Sequence, residues 1–139
     1  MSRIFFSLSF FLLTFFASFS ISAQTNKTRV VYPYPVKYLE LTVENQPIKM
    51  AYTDAAPSKS NGQTTILFHG KNFNGYYWAS VAQMLTEQGY RVIIPDQVGW
   101  GKSSRPNIHY SFHLLAASNK KLLDSLGVKN IIVIGHSMG

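Results

Sequence analysis

Three short runs constrain what this chain can become: "TTILF" at 64–68, "RVIIP" at 91–95 and "NIIVIG" at 130–135. Each is rich in β-branched residues and apolar at successive positions, so both of its faces need cover. A strand of that kind belongs inside a parallel sheet, with helices packed above and below. The intervening segments can supply those helices. In "YYWASVAQMLTEQG" (76–89), Trp78, Val81, Ala82 and Leu85 recur at helical spacing and Gly89 can end the helix. In "SFHLLAASNKKLLDSLG" (111–127), Leu115, Leu122 and Leu126 share a face, Ser111 can cap the start and Gly127 marks the end. The predicted order is strand–helix–strand–helix–strand, a βαβαβ unit of an open α/β sheet.

The preceding segments have a different character. In "KYLELTV" (37–43), Leu39, Leu41 and Val43 alternate with Tyr38, Glu40 and Thr42, and "IKMAYT" follows after "ENQP". An antiparallel hairpin leading into the parallel sheet is expected there. "DAAPSKSNGQ" reads as a polar turn region, and residues 24–36, with Pro33 and Pro35, as an extended lead-in. At the N-terminus, Arg3 precedes an apolar stretch with no further charge until Lys27, and Ser20, Ser22 and Ala23 are small. This describes a secretory signal peptide over 1–23, cleaved after Ala23 to leave an exported chain that starts at Gln24. An uncleaved membrane anchor is the rival reading, because the stretch is nearly long enough to span a bilayer.

Composition narrows the chemistry. The 139 residues include no cysteine, which excludes disulfides and thiolate metal sites. The formal charge is +7, but apart from Lys120-Lys121 the bases stand singly, as on a solvated surface and unlike a nucleic-acid patch.

Three segments at strand ends carry the candidate chemistry. "GHSMG" (135–139) fits G-x-S-x-G, a turn from strand to helix so tight that Gly135 and Gly139 cannot readily bear side chains. Such a turn lifts Ser137 clear of the sheet as a nucleophile. "LFHGKNF" places His69-Gly70 where a loop can aim a backbone N–H at that serine. An acyl-transfer site needs two donors for a developing oxyanion, and the amides of Lys71 and Met138 are the candidates. "PDQVGWGKSS" ends the second parallel strand; Gly99 and Gly101 permit a tight loop, and Asp96 reads as a loop-forming residue rather than a catalytic carboxylate.

Taken in order, the hairpin, "HGKNF", "PDQVGWGKSS", "YSFHLLA" and "VIGHSMG" make Lys37 to Gly139 similar to the α/β-hydrolase superfamily. The branch it resembles includes esterases, carbon–carbon bond hydrolases, proline iminopeptidases, epoxide hydrolases and haloalkane dehalogenases. The last two carry aspartate at the elbow, so Ser137 points to hydrolysis of an ester, amide or carbon–carbon bond beside a carbonyl in a small-molecule substrate. The resemblance implies no metal or organic cofactor. It places the triad acid and histidine after the serine in chain order, so 37–139 is expected to be the front part of the domain, with an incomplete sheet and no activity by itself. His69 and His136 lie inside strand-end motifs and read as packing or loop-bonding residues; His109 and His113 flank the second helix and read as surface residues. The competing expectation is a short, non-catalytic α/β protein that binds a partner through its exposed sheet.

Overall fold

The computed structural model describes residues 30–139. The expected signal peptide, and the lead-in before Val30, lie outside them. In chain order the elements are β1 (Val36–Val43), β2 (Gln46–Ala55), β3 (Thr64–Phe68), a 3-10 turn (Gly75–Trp78), α1 (Ala79–Glu87), β4 (Arg91–Pro95), α2 (Phe112–Ser125) and β5 (Ile132–Gly135). The strands form one sheet in the order β1-β2-β4-β3-β5. β1–β2 and β2–β4 are antiparallel, whereas β3 runs parallel to both β4 and β5.

The two-faced strands behave as their composition requires. Ile66 on β3 and Ile93 on β4 join Leu115 and Leu122 of α2 in one core cluster. Leu67, Val92 and Ile94 project the other way, onto Trp78 and Ala82 at α1. The two helices therefore cover opposite faces. Ile66, Leu67, Val92 and Ile93 are each fully buried, and each contributes about 1.5–3 kcal/mol relative to exposure. In the hairpin, Leu39, Leu41 and Val43 pack against the α2-side core, as their alternation predicts.

Element ends differ from the expectation for local reasons. The hairpin turn contains only Glu44 and Asn45, both at positive φ (46° and 61°), as a tight two-residue turn demands. Pairing thus resumes at Gln46, opposite Val43, instead of at Ile48. β2 also runs on through Asp54 and Ala55, which pair with Ile93 and Val92 of β4. Asp54 fixes this join by accepting from Arg91 Nε at 2.8 Å and Nη2 at 3.0 Å. The segment before α1 opens as a 3-10 turn because Asn74 caps it, accepting from the Tyr76 amide at 3.0 Å. Ser111 caps α2 by accepting from Leu114 N–H at 3.1 Å. β5 begins at Ile132, not Asn130, since the β3 register starts at Thr65↔Ile132. It forms the sheet edge, with Ile132 and Val133 exposed.

The lead-in is extended, but it is also docked. Tyr34 packs into the α1-side cluster, and the Tyr32 hydroxyl donates to Asp96 Oδ2 at 2.7 Å. No helix among the described residues is long and apolar enough to cross a membrane.

Candidate active site

β3 lies between β4 and β5, so the loops leaving the carboxyl ends of β3, β4 and β5 meet at one end of the sheet. In open α/β sheets, ligands bind at such strand ends. All three candidate motifs converge there.

At the end of β5 the chain turns sharply. Ser137 has φ +59°, a left-handed conformation that costs a non-glycine residue about 1–2 kcal/mol. The turn is held by His136 N–H donating to the Phe68 carbonyl (3.1 Å) and Gly139 N–H donating to the His136 carbonyl (3.0 Å). A Cβ on Gly135 would run into the Gly139 carbonyl, and one on Gly139 into the Phe68 carbonyl. Both glycines are therefore demanded by close backbone approach. Ser137 is exposed at the tip of the turn.

The β3 loop closes against it. A Cβ built on Gly70 would lie 3.0 Å from the Ser137 Cβ and 3.2 Å from the His136 carbonyl, so the two backbones are in contact. Phe73 N–H donates to the Gly70 carbonyl (3.2 Å), and Asn72 takes a positive φ of 67°, folding the loop back over the strand end. Among the described residues, the amides of Lys71 and Met138 donate to no protein acceptor. Phe73 and Tyr77 flank the elbow: the Tyr77 ring stacks on His136 at 5.3 Å, and the Phe73 ring meets it edge-on at 6.0 Å.

Two buried polar groups fix these loops. His69 is fully buried; its Nε2 accepts from the Gln97 amide (3.0 Å), and its Nδ1 lies 2.8 Å from the Gly70 carbonyl. Nδ1 therefore carries the proton. Burial holds this imidazole below its ordinary pKa, against the raising effects of the Gly70 carbonyl and Asp96. The Gln97 side chain donates back to the His69 carbonyl at 2.8 Å, tying the end of β3 to that of β4. Asp96 is the second anchor. Its carboxylate accepts from Gly75 N–H (2.5 Å), Lys102 N–H (2.7 Å) and the Tyr32 hydroxyl. Gly101 presses so close that a Cβ there would strike the carboxylate. Burial, with the Asp96 carboxylate next, pushes the Tyr32 hydroxyl pKa up, so it stays a donor. Sequence reasoning missed Tyr32 and Gln97, because neither lies in a motif and their partners are remote in the chain.

His109 and His113 are exposed beside the start of α2. An apolar groove of about 370 Å³ lies between α2 and the elbow, with Phe68, Leu115, Leu123, Met138 and Gly139 in its walls. Among the described residues, no group of three metal-ligating side chains occurs.

Comparison with known proteins agrees with the fold. Residues 64–139 match the family described as alpha/beta hydrolase fold. Epoxide hydrolase A of Mycobacterium tuberculosis is 32% identical over 102 residues, spanning 72% of this chain and 31% of that protein. A haloalkane dehalogenase of Mycolicibacterium paratuberculosis is 34% identical over 77 residues, 55% of this chain and 25% of its own length. Among solved structures, a "probable hydrolytic enzyme" of Pseudomonas aeruginosa superposes with a TM-score of 0.77 at 52% identity, covering 80% of this chain and 36% of that one. The chain thus spans about a quarter to a third of the length of these relatives.

Proposed function

The chain belongs to the alpha/beta hydrolase fold family, and from that premise we propose that it carries the nucleophile of a serine hydrolase. The substrate class is a small molecule with an ester, amide or carbon–carbon bond beside a carbonyl. One observation carries this reading: Ser137 is held in the left-handed region at the tip of the β5 turn, with Gly70 of the neighbouring loop packed against it. Backbone strain at a strand end facing a neighbouring loop, as here, is the kind that clusters at active sites. Two of the named relatives are an epoxide hydrolase and a haloalkane dehalogenase, chemistry that the resemblance associates with an elbow aspartate. A serine there favours acyl transfer.

In this scheme, Ser137 Oγ attacks the carbonyl carbon while its proton passes to a histidine. The amides of Lys71 and Met138 hold the oxyanion, whose collapse expels the leaving group with the proton that the histidine gives back; water then hydrolyses the acyl-serine to the free acid and serine. The scheme calls for no metal or organic cofactor. Both ring nitrogens of His69 are engaged, the His136 ring lies against Tyr77 and Phe73, and His109 and His113 stand beside α2. Among the described residues no histidine is hydrogen-bonded to Ser137, so the scheme assigns its base and acid partner to none of them, and residues 30–139 by themselves are expected to show no turnover.

The test uses the longest chain the gene encodes, assayed on an acyl ester. Ser137→Ala should lower kcat by about 10⁴-fold or more with KM little changed. Lys71→Ala keeps the backbone donor and should be mild, whereas Lys71→Pro removes it and should cost ~10²–10³ in rate. An unaltered rate in Ser137→Ala would end the nucleophile assignment. Equally mild effects of both Lys71 changes would move the second oxyanion donor elsewhere.

A further inference from the structure

A cleft of about 510 Å³ opens between the loop after β3 and the loop after β4, with the lead-in as a third wall. Tyr32, Asn72, Phe73, Trp100, Lys102 and Arg105 line it. Its exposed charge is one-sided. The sequence contains six carboxylates; five are engaged elsewhere, and the sixth, Asp96, is buried behind the cleft wall, where Tyr32 and the Lys102 N–H donate to it. Glu40 pairs with Lys49, Asp54 with Arg91, and Asp124 with Lys120. Glu44 accepts from His109 N–H and Glu87 from Gln83. Asp96 is 2% exposed and capped by its three donors. Lys102 and Arg105 have no carboxylate partner among the described residues, and residues 1–29 contain no Asp or Glu.

An isolated surface lysine is ordinarily a mobile, solvated charge. Lys102 is positioned: its Nζ sits 4.3 Å from the centroid of the Tyr32 ring, which is itself tethered to Asp96. The cleft also adjoins the elbow, because Phe73 forms part of its wall and meets the ring of His136, the neighbour of Ser137. A substrate reaching from the serine past Phe73 would place its far end among the two cations.

We propose that this cleft, with Lys102 and Arg105, is a subsite for an anionic group, a carboxylate or phosphate, on the substrate of the Ser137 reaction. The proposal rests on the serine-hydrolase reading for its catalytic part only; the binding of an anion does not depend on it. Guanidinium and ammonium groups in a concave, partly apolar setting form short charge-assisted hydrogen bonds with such oxyanions.

The experiment titrates the longest chain the gene encodes with succinate, and separately with inorganic phosphate, at low ionic strength. The signal is tryptophan fluorescence, to which Trp100 contributes from the cleft wall. A saturable response is expected, weakened about 10-fold or more in Lys102→Ala/Arg105→Ala. Both substitutions leave the backbone untouched, including the Lys102 N–H that Asp96 accepts; circular dichroism verifies the fold, and Lys102→Glu/Arg105→Glu should abolish the response. In parallel, kcat/KM is compared for a hemisuccinate ester and a neutral butyrate ester of the same alcohol, and the ratio should fall in the double alanine variant. No saturable response to either anion, or equal affinity in the double variants, overturns the subsite. Turnover of the neutral ester alongside such a result leaves the serine assignment standing. Anion binding that depends on Lys102 and Arg105, without turnover of either ester, supports the subsite and removes ester hydrolysis from the serine reading.

Discussion

Asp96→Ala should destabilise the protein by about 3–4 kcal/mol, a figure that follows from three donors. Gly75 N–H is buried and would lose its acceptor outright, a penalty of about 1–3 kcal/mol. The Tyr32 hydroxyl is partly exposed and Lys102 exposed, so water can reach them; each loses about 1 kcal/mol of net hydrogen bonding. Relief of the carboxylate's own desolvation offsets part of this sum, while the void left beneath Gly101 adds to it. Asp96→Asn keeps the shape but turns an NH2 group toward one of the donors, so an intermediate loss of about 2 kcal/mol is expected. Urea denaturation measures both variants. At a typical slope of about 1.5 kcal/mol per molar, alanine should move the midpoint down by roughly 2 M. If alanine stays within about 1 kcal/mol of the parent, the anchoring role is wrong. A stable Asp96→Asn variant that has lost its hydrolytic rate would instead make Asp96 catalytic.

Two further outcomes can be checked. His69 is buried with its pKa held below the ordinary value, so the unfolded chain takes up the proton first as the pH falls. Its contribution to stability is complete above about 6.5 and is lost as pH drops below that value toward the folded-state pKa. Denaturation midpoints at pH 7.5 and 5.5 should differ accordingly, and a difference that persists unchanged in His69→Asn would assign it to another group. For export, we propose processing after Ala23; N-terminal sequencing of the secreted or periplasmic product should begin at or within a residue or two of Gln24, and an intact Met1 or Ser2 in a carbonate-resistant membrane fraction would overturn it.

Much of the architecture is local, and it was legible for that reason. β-branched runs with apolar residues at successive positions can be satisfied only between two layers, so "TTILF" and "RVIIP" predict a strand with helices on both sides. Ser111, Gly89 and Gly127 mark helix ends because a cap is decided by the few residues around it. Gly135, Ser137 and Gly139 announce their turn for the same reason: steric demands within five residues leave few alternatives. The boundaries that shifted were set by partners instead. Gln46 begins β2 because of a two-residue turn, and Asp54-Ala55 extend it because β4 offers a ladder.

What only the tertiary structure decided was which distant residues hold the site together. Nothing near Tyr32 in the chain announces that its hydroxyl reaches Asp96, 64 positions away, or that Gln97 brackets His69. A buried polar group must find its hydrogen-bond partners wherever the fold brings them, and sequence spacing carries no record of that distance. The same holds for the cleft between the β3 and β4 loops, where Lys102 and Arg105 look like ordinary surface bases until the sheet places them beside Phe73 and Trp100.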